Sequence, residues 1–161
     1  KIRQEARWEW STYIGQEISI LDETLRHEYA GQNISVPCMI LAHYIVILCI
    51  SKAPHGEIST ELIPNILNTF KRVLELVKPG IDPTNVVHFY NQYMYTGIEK
   101  LCPRALSLAL LGHSFSLCGR YEHAADSFRG ALDQQQNYDA AKKNLNICLE
   151  RIRSKTPKSV L

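Results

Sequence analysis

The chain has 161 residues, 45% of them hydrophobic, and a formal net charge of +2. That length and apolar content suit one domain with a real core and exclude a disordered chain. The near-neutral balance argues against a global electrostatic grip on nucleic acid or on a membrane surface.

Residues 2–29 carry the first helical pattern, in which Ile14, Ile18, Leu21, Leu25 and Tyr29 recur at three- and four-residue steps. Trp8 and Trp10 point to different faces of such a helix, Ser11-Thr12 with Gly15 offers a break, and Gly31 a C-cap. Ser35-Val36-Pro37 is expected to start the second helix, with Pro37 in the first turn where its missing N–H costs nothing. The following Met39, Ile40, Leu41, Tyr44, Ile45, Ile47 and Leu48 are apolar nearly all round, as in a central helix covered on most sides. This longest apolar run, 36–50, holds about 15 residues, short of the roughly 20 that a membrane span needs.

Ala53-Pro54-His55-Gly56 is a turn. A third helix is expected over 60–78, capped by Ser59, with Ile63, Ile66, Leu67, Phe70, Val73, Leu74 and Val77 on one face. Lys71, Arg72, Glu75 and Lys78 mark its wet side. Pro79-Gly80 stops it, and Asp82-Pro83 starts a fourth helix running to about residue 101. Cys102-Pro103 breaks that one. A fifth helix spans 104–118, Gly119 turns the chain, a sixth covers 121–134, and the last runs over 138–153 until Thr156-Pro157. No strand pattern emerges. About seven helices joined by short loops predict an all-α chain of stacked antiparallel hairpins.

Within 105–138, Leu108, Leu111, Gly112 and Phe115 stand at L-x2-L-G-x2-F, followed by Ala124-x3-Phe128 and Ala131-Leu132. This resembles one tetratricopeptide repeat (TPR), whose signature is W-x2-L-G-x2-Y, then A-x3-F, then P. The resemblance implies an antiparallel helix pair within an α-solenoid, which is a binding architecture. It implies that Gly112 and Ala124 face each other closely, that Phe115 and Phe128 fill the adjoining layers, and that Gly119 permits the turn. The match departs from the family at Leu108, in place of Trp, and at Gln136, in place of Pro. The helices of 1–101 show no clear echo of it. The last helix, 139–153, reads as a solvating cap, with Leu145, Leu149 and Ile152 inward and Lys142, Lys143, Asn146, Glu150 and Arg151 elsewhere. These segments make a single domain over 1–155, with 154–161 as a flexible tail.

Some arrays of this family grip a partner's C-terminal carboxylate with Lys and Asn. The matching positions here, Ala109 and His113, do not reproduce that clamp. The groove left to this repeat comprises Leu106, Ala109, His113, Ser116 and Leu117, and suits a hydrophobic helix or an extended peptide. The alternative is that the N-terminal helices cover this face. A basic C-terminal tail (Lys142, Lys143, Arg151, Arg153, Lys155, Lys158) offers a surface for nucleic acid or an acidic partner. Its plainer reading is a solvated helix end whose cations suit the helix dipole.

Other patterns are weaker. Gly112-His113-Ser114-Phe115-Ser116 echoes a nucleophile elbow, but the closing Gly is absent and no strand precedes it. His27, His43, His55, His88, His113 and His123 show no metal spacing, and no Gly-rich phosphate loop occurs. Tyr90, Tyr93 and Tyr95 with His88 offer an aromatic surface, though such a stripe is more often core. Asn33-Ile34-Ser35 reads as a chance sequon. Thr156-Pro157 fits proline-directed phosphorylation, and Ser159-Val160-Leu161 fits a PDZ-type ligand if Leu161 is a natural terminus. Cys38, Cys49, Cys102, Cys118 and Cys148 are odd in number and widely spaced, which favours reduced, buried thiols in a cytoplasmic or nuclear protein.

The expectation is a non-enzymatic scaffold or adaptor, the C-terminal part of a subunit of a larger complex, with no cofactor, metal or membrane. Its partners would be proteins. The alternative is a nucleic-acid-associated helical module using the basic tail.

Overall fold

The computed structural model describes residues 10–13, 34–53, 62–76 and 103–155. Two short strands, β1 (Trp10–Tyr13) and β2 (Ile34–Pro37), precede helices α1 (Cys38–Lys52), α2 (Leu62–Leu76), α3 (Pro103–Leu117), α4 (Tyr121–Gln134) and α5 (Asp139–Lys155). The five helices pack on one another around a continuous apolar cluster. The all-α class therefore holds, with a two-stranded ribbon added. The fourth expected helix, 82–101, lies outside the described residues.

The ribbon corrects two expectations. Residues 10–13 were expected to be helical, yet they pair antiparallel with β2 in the register Trp10↔Pro37, Ser11↔Val36, Thr12↔Ser35 and Tyr13↔Ile34. Aromatic and β-branched residues fit a pleated surface once a partner strand is present. Pro37 likewise ends a strand instead of sitting in a helix's first turn. The ring of a proline pushes the preceding residue toward extended backbone, so Val36 is held in the strand and the helix starts one residue later. Val36 is buried, which anchors the ribbon to the core.

Helix α3 is the central element. It packs against β2, α1, α2 and α4. Residues 105–107 and 109–115 are all buried and Leu108 is half-buried, so α3 is enclosed on every side through its middle turns. That is the burial a helix with apolar residues on all faces requires.

Helix α1 was expected to be covered on most sides. Ile40, Leu41, Tyr44, Ile47 and Leu48 do lie in the core, but Met39, Ala42, Val46 and Cys49 form an exposed stripe along it. Helix α2 follows the expected face, with Leu67, Phe70 and Leu74 buried and Lys71, Arg72 and Glu75 exposed. His43 of α1 tilts against Phe70 of α2, with 5.7 Å between ring centres.

Candidate interaction surface

The α3–α4 pair is a tight antiparallel hairpin. Its partners run in opposite order along the two helices: Phe115 lies by His123, Gly112 by Phe128, and Leu108 by Gly130. The resemblance placed Ala124 against Gly112. The nearest atoms to a Cβ at Gly112 are Phe128 ring carbons, two of them at 2.9 Å, so the closest approach at this glycine is made by that ring. Phe128 is fully buried, so the space left by the missing side chain is taken by a ring.

The turn follows the expected logic. Gly119 has φ +71°, Arg120 N donates to Phe115 O at 2.9 Å, and Gly119 N donates to Ser116 O at 3.0 Å. This is a Schellman closure, which needs a left-handed residue at the position Gly119 occupies. At the other end of α4, Gln135 leaves the helix in an extended conformation and Tyr138, buried, carries the chain into α5.

Helix α5 returns alongside the hairpin. Lys155 Nζ reaches Gly119 O at 3.4 Å and lies 4.8 Å from the centre of the Tyr121 ring. Its C-terminal end therefore sits beside the start of α4, so α5 is antiparallel to α4 and parallel to α3. Ser116 Oγ lies 3.5 Å from Cys148 Sγ, the contact that marks the α3–α5 seam. Ala141 and Cys148 are buried on α5, with Leu145, Leu149 and Ile152 half-buried beside them.

The five residues expected to line a groove have different fates. Leu106 is 1% exposed, Ala109 1% and His113 8%. These three are enclosed within the chain itself, so the face is not open at their positions. Ser116 is half-buried at the seam, and Leu117 is 39% exposed. The cations of α5 are all exposed, but not as one stripe. Lys142 and Arg153 share one flank, Lys143 and Arg151 another, and Lys155 turns back over Tyr121. Lys142 pairs with Asp139 at 3.5 Å. Lys158 lies outside the described residues.

Sequence reasoning missed Ile147. It is 43% exposed on the polar side of α5, one residue before the seam contact. The only available signal was a lone isoleucine among Lys143, Asn146, Glu150 and Arg151.

The Gly112-His113-Ser114 trio is a packing feature. Ser114 is fully buried and its hydroxyl donates to Leu110 O at 2.9 Å, one turn back. His113 meets the Phe128 ring edge-on at 5.3 Å. Among the described residues no His, Cys, Asp and Glu group could hold a metal, and no helix is long and apolar enough to cross a membrane. Cys49, Cys118 and Cys148 are free thiols; Cys148 is buried as expected, whereas Cys49 is exposed. Burial pushes the Cys118 thiol above its ordinary value, partly opposed by the Arg120 charge. The tyrosine cluster at 90–95, the sequon at 33–35 and the motifs beyond residue 155 lie outside the described residues.

A shallow cleft of about 420 Å³ opens at the start of α4, lined by Arg120, Tyr121, Glu122, His123, Ile152 and Lys155. It holds charges of both signs. Comparisons with protein-family models, with curated proteins and with solved structures find no match to this chain.

Proposed function

We propose that the chain is a protein–protein interaction module, a TPR-like scaffold or adaptor piece within a larger multiprotein assembly, with no catalysis of its own. One observation supports this reading: α3 and α4 pack antiparallel around the Gly112–Phe128 contact, α5 packs antiparallel to α4, and exposed apolar and basic side chains lie beside the Ser116–Cys148 contact between α3 and α5. Stacked hairpins of this kind present side chains from parallel helices to a partner. The free thiols suit work in the cytoplasm or nucleus.

The test is affinity capture from cell extract with the parent chain and with a Leu117→Glu, Ile147→Glu variant. Thermal melts first establish that both are folded. A protein retained by the parent and lost by the variant is the expected result. Failure of the parent to retain any protein specifically at physiological salt overturns the module reading.

A second reading has one observation in its favour. Lys142, Lys143, Arg151 and Arg153 are all exposed on α5, as a phosphate-contacting helix would require. Binding of an oligonucleotide that weakens steeply with salt would favour this reading over apolar docking.

A further inference from the structure

We infer that the α3–α5 seam docks an acidic peptide segment, with Leu117 and Ile147 as the apolar anchor and Lys143 and Arg151 pairing with its carboxylates. This deepens the interaction-module reading and rests on it.

The geometry follows from the direction of the two helices and from the contact at which they meet. Ser116 and Cys148 face each other across the seam. In parallel right-handed helices, the residue after the contact on one and the residue before it on the other turn to the same side. Leu117 and Ile147 are those residues, and both are among the large apolar side chains left exposed. Large apolar side chains exposed toward one side of the molecule are candidates for an interaction site.

Lys143 and Arg151 stand one turn before and one turn after Ile147, on the same flank of α5. Neither has an ion-pair partner among the described residues, whereas Lys142 pairs with Asp139 and Arg129 with Asp126. Glu150 is turned further from α3 than Ile147 is. The strip is thus apolar at its centre and positive at both ends. Eight residues of helix separate the two cations by about 12 Å, the reach of about four extended residues. The matching ligand is an extended segment with acidic residues about four apart and an apolar residue between them. A nucleic-acid strand carries a charge at every nucleotide and so would set phosphates beside the central Leu117 and Ile147 as well as beside the cations.

The test is display selection from a random peptide library on the intact chain, followed by anisotropy measurements on the enriched peptide. We expect the pattern acidic–x–apolar–x–acidic. Ile147→Asp, and separately Lys143→Glu with Arg151→Glu, should weaken binding by about tenfold or more, with melting unchanged. Lys142→Glu with Arg153→Glu, on the other flank, should change it less than about threefold.

No enrichment, enriched peptides without acidic residues, or binding indifferent to Ile147→Asp overturns the proposal. An oligothymidine strand that displaces the peptide and outbinds it also overturns it, in favour of nucleic acid. If an extract protein bound by the parent survives Ile147→Asp, this site falls and the module reading stands. If neither extract nor library yields a binder, both fall.

Discussion

Phe128 occupies the space that a side chain at Gly112 would need, with ring carbons 2.9 Å from the position of a Cβ there. The two helices of the hairpin are held at the separation this fit allows. Gly112→Ala should therefore force the ring or a helix to shift and lower stability by about 1–3 kcal/mol, read as a drop in the urea midpoint. Combining it with Phe128→Leu should cost less than the two single changes added, because both act on one space.

Gly119 presents the opposite case. Nothing lies within 4 Å of a Cβ at that position, yet φ is +71°. Gly119→Val should cost about 1–2 kcal/mol through backbone strain alone. Gly119→Asn should cost visibly less, because asparagine tolerates the left-handed region. Equal losses for the two would show that the strain argument is wrong.

Core and surface can be separated within one helix. Leu106 is buried, and Leu106→Ala should destabilise the chain by about 2–5 kcal/mol. Leu117→Ala, at the exposed end of the same helix, should fall below about 1 kcal/mol in the same denaturation experiment. The reverse order would mean that the open part of this face has been misplaced.

The thiols should react in order of exposure and ionisation. Alkylation of the native chain, followed by peptide mass mapping, should modify Cys49 before Cys118, and Cys148 last. Arg120→Ala removes the charge that lowers the Cys118 value, so the thiol should titrate higher and react more slowly at fixed pH. The folded thiol ionises at higher pH than the unfolded one. Its contribution to stability is therefore complete below the ordinary value of 9.0 and is lost as pH rises through the folded value.

Helices α3, α4 and α5 could be read almost residue by residue, because their signals are local. Gly119 marks a turn by conformation, and the alternation of buried and exposed residues in α4 and α5 follows the helical period. The ribbon could not be read that way. Trp10–Tyr13 is a strand only because Ile34–Pro37 lies beside it, and four residues carry too short a pattern to declare that pairing. Which of the five groove positions stay open was not legible for a related reason. A resemblance in pattern suggests where a helix can meet a ligand, but Leu106, Ala109 and His113 are enclosed by other parts of the same chain. Ile147 became meaningful only when the Ser116–Cys148 contact brought α5 beside α3.

The enclosure of α3 also has a consequence for synthesis. Leu67 and Phe70 of α2, with Ile40 and Tyr44 of α1, belong to the core that α3 completes, yet α2 ends at Leu76 and α3 is not begun until Pro103. A ribosome-bound chain halted before residue 103 should therefore hold the apolar faces of α1 and α2 without the cover that α3 gives them, and bind a hydrophobic dye that the finished chain does not.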